Sequence, residues 1–375
     1  MNRVLIVGGG IGGLTLAVAL KLRGIESDVV ESNPAWSVYG VGIIQPSNAL
    51  RALASVGLGQ RCLELGGGFG GWGIFDRDGN KLAEVPNDNV AGPGFPPING
   101  IARPQLHRIL QDAVLAQQTP VKLGITVADW QDDRDKVEVR FTDGTSGEYD
   151  LIVGADGAHS SMRERLFGRS PPQPTGEAVW RYNLPRPADM DWGGMYFGAT
   201  SKAGLVPMGK DTMYLFLVTA EPTNARFPDD QLHILLRERL AEYGGRIAKL
   251  RELITDPAAV VYRPMATLLV QPPWHKGRVV LIGDAVHSGT PHLAQGAAMA
   301  IEDAVLLSQM LAVRQPIGPT LEAFAARRMP RCKLVLESGL QMGRWEMDEW
   351  AGKRDPLTDH GGLFQRTLVE LMQPM

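Results

Sequence analysis

The chain has 375 residues, enough for a large buried core and for two domains. Its 44% apolar and 21% charged residues are ordinary for a globular protein. A net charge of −3 argues against nucleic acid as the main partner, and no apolar run is long enough to span a membrane. The two cysteines, Cys62 and Cys332, cannot build a disulfide framework, and their spacing fits no metal site. "MNRVLIVGGG" lacks the build of a signal peptide, so a reducing, cytoplasmic setting is expected.

The chain opens as strand, turn, helix, strand: "RVLIV", "GGGIGG", "LTLAVALKLR" and "SDVVES", with Gly24 as a helix stop. This is the pattern of a βαβ unit with parallel strands. Residues 47 to 65 read as helical. Residues 66 to 100 are rich in Gly and Pro, with a hairpin expected at "FDRDGNKL". "RPQLHRILQDAVLAQQ" reads as a helix with Pro104 in its first turn. Residues 121 to 153 read as a meander of "VKLGITVADW", "KVEVRFTD" and "EYDLIVGAD". From 172 to 220 the pieces "AVWRYNLP", "GGMYFGAT" and "DTMYLFLVTA" suggest an antiparallel sheet. Two helical pieces follow, then a return to strand–turn–helix at 278 to 312. From Thr320 the chain is largely helical, with a bend expected at Pro330.

Three stretches carry chemistry. In "VGGGIGGL", Gly8, Gly10 and Gly13, with Leu14 behind them, match GxGxxG between a strand and a helix. The glycines permit a tight turn, close approach to a pyrophosphate and close helix packing. The helix end offers free N–H groups to phosphate. Glu31 ends the second strand, where a carboxylate can accept from an adenosine ribose; Asp28 is the alternative acid. "GGGFGG" at 66 to 71 matches the same pattern but lacks the strand before and the helix after, so it reads as a flexible loop. "DGAHSSMR" places Asp156 after a strand, and "GDAVHSGTPHLAQGAAMAIEDA" places Asp284 after another.

In this order and spacing, the three stretches resemble the FAD-dependent aromatic hydroxylases, the single-component flavoprotein monooxygenases. Their signatures are GxGxxG, a central DGxxSxxR and a late GD followed by Pro and Gln-Gly. The resemblance runs from residue 1 to roughly Arg331. The branch it most resembles is that of the salicylate and 6-hydroxynicotinate hydroxylases. It implies an α/β fold: a Rossmann-like FAD-binding domain, an antiparallel-sheet substrate domain and C-terminal helices. The expected division is 1–70, 101–171 and 266–330 for FAD, 71–100 and 172–265 for substrate, and 331–375 as a helical segment.

The resemblance also implies roles. Asp284 would accept from the ribityl chain, and Pro291 would sit against the isoalloxazine. Gln295, Gly296 and Ala297 would turn backbone N–H groups toward the flavin edge that becomes negative on reduction. Arg103 would reach FAD, Gly42 would lie beside the ring, and Val127 near the adenine. Asp156 completes the expected cofactor set. The implied reaction is monooxygenation: NADH or NADPH, binding transiently, reduces FAD, O₂ adds to give a flavin C4a-hydroperoxide, and a small aromatic or heteroaromatic ring is hydroxylated. The chain lacks the extra C-terminal domain of phenol hydroxylases and the WxWxIP stretch of flavin halogenases. Alternatives are a related enzyme doing epoxidation, decarboxylating hydroxylation or antibiotic inactivation, and a flavin- or ADP-binding protein without turnover.

Substrate would lie between flavin and the 172–220 sheet. The candidates there are Trp180, Arg181, Tyr196, Lys202, Met208, Met213, Tyr214 and Phe216. Period-2 alternation sets Tyr214, Phe216 and Val218 on one face and Met213, Leu215 and Leu217 on the other. Tyr214 is the leading candidate for chemistry, with Pro291, His292 and Gln45 next. His287 reads as a structural histidine and the cysteines as bystanders. A monomer or homodimer is expected, with no metal, nucleic acid or membrane.

Overall fold

The computed structural model describes residues 3–36, 40–223, 225–353 and 355–375. Its centre is a six-stranded sheet in the order His275–Lys276, Val279–Leu281, Leu151–Gly154, Arg3–Val7, Glu26–Glu31, Val121–Leu123. All neighbours are parallel except the first pair. Parallel strands are buried on both faces, and "VLIV" and "LIV" accordingly show continuous apolar runs. The helices Ile11–Lys21 and Gly296–Ala312 pack together beside this sheet.

The second large sheet has eight strands, in the order His287–Ser288, Val261–Leu269, Gln173–Pro185, Thr212–Ala220, Ser201–Pro207, Gly193–Phe197, Gly71–Asp76, Lys81–Pro86. Its pairs are antiparallel except Gly193–Phe197 with Gly71–Asp76. One face packs on the helices Leu232–Arg239 and Gly245–Arg251 through Trp180, Tyr196, Met213, Leu215, Leu217, Leu236 and Ile247. The other face carries Val206, Tyr214 and Val261 and meets Val41, Phe69 and Ile98. The alternation expected for Met213 through Val218 is therefore the one observed.

Local readings changed in two places. "GGGFGG" is not a loop: Gly67–Phe69 pairs with Ile98–Ala102, and Gly71 begins the next strand. Its glycines serve close backbone approach, since a Cβ on Gly67 would lie 2.7 Å from the Gly209 amide nitrogen. The 121–153 meander is divided. Val121–Leu123 and Leu151–Gly154 join the parallel sheet, leaving a three-stranded antiparallel sheet of Val127–Asp132, Val137–Phe141 and Ser146–Tyr149. The helix Ile317–Trp350 runs through Pro330 without interruption. Arg328 and Arg331, on either side of the proline, both bind Glu302 and tie that turn down.

Candidate active site

The glycine turn is built as its sequence requires. Gly8 has φ of +116°, which L side chains rarely adopt, and it lies against the Ala155 backbone. The helix starts at Ile11 with Gly10 as N-cap, and a Cβ on Gly10 would meet nothing. Gly13 lies tight against the Gly8 carbonyl, and Leu14 is fully buried. Glu31 receives the Gly9 amide at 2.8 Å and the Asn33 amide at 2.8 Å. A carboxylate held by backbone donors keeps one geometry, with lone pairs left for a diol. Asp28 is taken by Arg3 at 2.6 Å and by the Tyr149 hydroxyl at 2.8 Å, so of the two acids only Glu31 serves the turn.

Sequence reasoning missed His107. Its Nε2 donates to the Gly9 carbonyl at 2.7 Å, and the Gln111 amide donates to Nδ1. Burial lowers its pKa, favouring the neutral ring, and the Gly9 carbonyl, which can only accept, fixes the proton on Nε2. The signal was present: His107 follows Arg103 by four residues, on the same helical face.

The two later motifs are joined. Ser160 caps the helix Ser161–Phe167 by accepting the Arg163 amide at 2.8 Å. The Arg163 guanidinium then donates to the Ala285 carbonyl at 3.0 Å, next to Asp284. Asp156 accepts the Met162 amide at 3.0 Å through Oδ2, while its Oδ1 is buried without a hydrogen-bond partner among the described residues. Asp284 makes no side-chain hydrogen bond among the described residues. It is solvent-accessible yet surrounded by protein, as in the wall of a deep cleft, and burial raises its pKa. Arg103, His287 and Asp303 are the charged and titratable groups that bear on it.

Beyond Asp284, Pro291–Leu293 forms a single tight turn and Ala294 takes a left-handed φ of +55°. Helix Gly296–Ala312 follows, with accessible Gly296 and half-buried Ala297 at its start. A Cβ on Gly296 would meet nothing, so the helix end faces open space. The Gln295 side chain turns inward: Asn48 donates to its Oε1 at 3.0 Å and accepts from its Nε2 at 3.2 Å. That side chain is therefore not available to a ligand, and the whole residue is 1% exposed.

Behind this helix lies a buried network that the sequence did not reveal. Arg328 binds Glu302 at 2.8 Å and Asp303 at 2.6 Å, and Asp303 holds the Gly283 amide at 2.8 Å and His287 at 2.6 Å. His287 is structural, as expected. Its pKa lies well above the ordinary value: burial lowers it, but Cys332 and Asp303 more than compensate. The Cys332 sulfur, His287 and Asp303 converge in one buried group. Cys62 is buried, and its thiol is pushed up to about 11 by burial, offset in part by Gln45.

The sheet face toward the cleft sorts the substrate candidates. Tyr214, Phe216, Met208, Lys202 and Arg181 lie on it; Trp180, Tyr196 and Met213 lie on the opposite face, in the core against the two helices. Tyr214 packs against Gly42, and burial pushes its phenol up to about 12 despite Arg181. Gln45 is turned away from the cleft: Asn99 donates to its Oε1 at 2.7 Å and it is 2% exposed. His292 is also enclosed. Its Nε2 lies 3.3 Å from Glu177 and 3.4 Å from Glu346, and Lys202 binds the other oxygen of Glu346. Burial and Lys202 lower the His292 pKa, but the two glutamates prevail and raise it. Arg103 opens its helix beside Gly40, and Val127 is buried in the antiparallel sheet.

A glycine turn with an acid behind it, an orphaned Asp156 oxygen, an accessible Asp284 and an open helix end suit a flavin dinucleotide. Comparison with known proteins agrees. Residues 1–337 match the FAD binding domain family. The chain is 32% identical over 356 residues to the 2-heptyl-3-hydroxy-4(1H)-quinolone synthase of Pseudomonas aeruginosa, covering 92% of this chain and 90% of that protein. It is 30% identical over 353 residues to the FAD-dependent urate hydroxylase of Klebsiella pneumoniae, covering 90% and 88%. A solved structure of a substituted Klebsiella pneumoniae HpxO complexed with FAD superposes with a TM-score of 0.84 at 26% identity, covering 99% of this chain and 94% of that one. Among the described residues, no helix is long and apolar enough to cross a membrane. Motifs, architecture and relatives converge: the chain belongs to the FAD-dependent monooxygenases.

Proposed function

We propose that this enzyme hydroxylates a small aromatic or heteroaromatic ring, using O₂ and NADH or NADPH. The observation that carries this reading is Tyr214. It is a polar group in an otherwise apolar patch of Val41, Phe69, Val206, Met208 and Val261, on the sheet face turned to the Gly42 strand. FAD, when bound, supplies electron transfer and oxygen activation. The chain's own residues do the rest. Glu31, Asp156, Asp284 and Arg103 hold the cofactor, with Gly8, Gly10, Gly13, Gly42 and Val127 shaping its bed. The backbone of Gln295, Gly296 and Ala297 offers donors. Pro291 closes the cleft without adding a donor. Tyr214 holds the ring oxygen and passes its proton, and the apolar patch excludes water. In this reading, 1–70, 101–171 and 266–330 serve the cofactor, 71–100 and 172–265 serve the substrate, and 331–375 buttresses both.

A second reading is a larger, quinolone-like ring, favoured by the similarity to the quinolone synthase. One screen separates the two: the purified yellow protein is offered phenols, salicylates, hydroxypyridines and alkylquinolones, and NAD(P)H oxidation and hydroxylated product are followed. Stimulation with product by a small ring supports the proposal. Stimulation by the alkylquinolone alone overturns it in favour of the second reading.

A further inference from the structure

The peptide between Gly9 and Gly10 is gripped from the inside of the glycine turn. Gly9 is buried and Gly10 is exposed. The Gly9 amide donates to Glu31, and the Gly9 carbonyl accepts from His107 Nε2 at 2.7 Å. A planar trans peptide points its C=O and its N–H in opposite directions. With the carbonyl drawn inward to His107, the Gly10 amide is aimed away from the interior. That amide donates to no group among the described residues. It adds to the free N–H groups at the start of the helix Ile11–Lys21, the end that suits a pyrophosphate.

Three consecutive glycines make such an orientation hard to keep. Gly8, Gly9 and Gly10 lack the Cβ atoms that restrict rotation of a peptide plane. Turned over, the same peptide would set a carbonyl oxygen against the phosphate. His107, by contrast, is firmly held. It is 4% exposed, the Gln111 amide meets its Nδ1, and the Trp36 ring lies edge-on to it with centroids 5.7 Å apart. It stands about one turn after Arg103 in the helix Arg103–Ala116. We propose that His107 is a positioning residue for FAD: it locks the Gly9–Gly10 peptide in the orientation that gives the Gly10 amide to the cofactor pyrophosphate. This rests on FAD binding and not on the hydroxylase reading, and it holds whichever ring is the substrate.

The test uses the full-length apoprotein and needs no turnover. FAD affinity is read from flavin fluorescence on titration, and ADP affinity from its competition with FAD. His107→Leu should weaken FAD roughly 10- to 100-fold, the range for leaving a buried acceptor unpaired. ADP should be weakened by a similar factor, because it carries the same pyrophosphate. His107→Gln should keep most of the affinity, since its amide nitrogen reaches the place of Nε2 and donates in the same way. His107→Asn is equally polar but shorter, and it should lose about as much as His107→Leu. A merely structural role would lower the apoprotein melting temperature in all three variants without sorting Gln from Asn in cofactor binding. Normal FAD affinity in His107→Asn, a loss in His107→Gln equal to that in His107→Asn, or weakened FAD with ADP binding intact would each overturn the proposal. Should His107→Leu fail to fold, the Gln and Asn variants decide by the same readings.

Discussion

The Tyr214 ring occupies the space that a side chain at Gly42 would need. A Cβ there would overlap Tyr214 Cδ1 and Cε1 and lie 2.5 Å from Met208 Sδ. The strand Gly42–Pro46 and the strand Thr212–Ala220 thus meet at one glycine, at the place where cofactor and substrate are proposed to meet. Gly42→Ala should overpack this contact, costing roughly 1–3 kcal/mol of stability, and should move Tyr214. A lowered melting temperature together with altered coupling of NAD(P)H oxidation to product would show it; a variant that melts and couples like wild type would refute it.

Tyr214→Phe keeps the ring that fills this space and removes one hydroxyl. Stability should therefore change little. NAD(P)H oxidation should continue while hydroxylated product falls and hydrogen peroxide rises. Loss of an acid–base participant costs about 10²–10⁴-fold in the step it assists. With the true substrate, unchanged product yield and rate would reduce Tyr214 to a packing residue.

Much of this was legible in the sequence because local rules agree there. GxGxxG between a β-branched run and a helix admits few backbones, and strand alternation correctly set Tyr214 apart from Met213. The surroundings of Gln45 and His292 were not legible, for one reason. Their positions flank the cleft, but their side chains are claimed by Asn99 and by Glu177 and Glu346, partners distant in the chain. The Arg328 network was equally hidden, although two acids inside the apolar "AMAIEDAVLL" were a visible sign that buried cations must exist elsewhere.

The cluster around His292 should make stability depend on pH at both ends. Burial pushes the Glu346 carboxyl up, but Lys202 and His292 outweigh it and hold it at about 2, against an ordinary 4.5. A depressed carboxylate stabilises the fold above its unfolded value and loses that contribution as pH falls through the folded one. His292 is raised, so its contribution is complete below its ordinary 6.5 and is lost as pH rises through its folded value. Denaturant melts from pH 2 to 9 should show both losses. Glu346→Gln should be weaker at neutral pH and flatter between about pH 4.5 and 2; an unaltered acid limb would contradict this.

Glu31 and Asp284 are proposed to do similar work on FAD but differ in the protein without it. Glu31 holds the Gly9 and Asn33 amides, whereas Asp284 holds none among the described residues. Either Ala variant should lose roughly 1.5–3 kcal/mol of FAD binding, the worth of a charged hydrogen bond. Only Glu31→Ala should also lower the melting point of the apoprotein. Flavin content and apoprotein melts read the two effects apart, and full FAD retention by both variants at dilute concentration would remove these residues from the cofactor site.

Arg328 tests whether the buried network supports the cofactor end of the protein. It is 1% exposed and neutralises Glu302 and Asp303, which are fully buried. Those acids in turn hold Asn48, the partner of Gln295, and the Gly283 amide that precedes Asp284. Arg328→Met keeps much of the volume and removes the charge. Arg331 still faces Glu302, whereas Asp303 keeps the Gly283 amide and His287 but loses its guanidinium partner. Breaking a buried pair by removing one partner costs about 3–5 kcal/mol. If the network also positions the Gly283–Asp284 turn and the start of the Gly296–Ala312 helix, the variant should bind FAD more weakly at temperatures where it is still folded. Arg328→Lys should restore part of the stability and less of the FAD affinity, because an ammonium cannot span two carboxylates as the guanidinium fork does. A variant that is destabilised yet binds FAD normally below its melting point would make this network a structural support only.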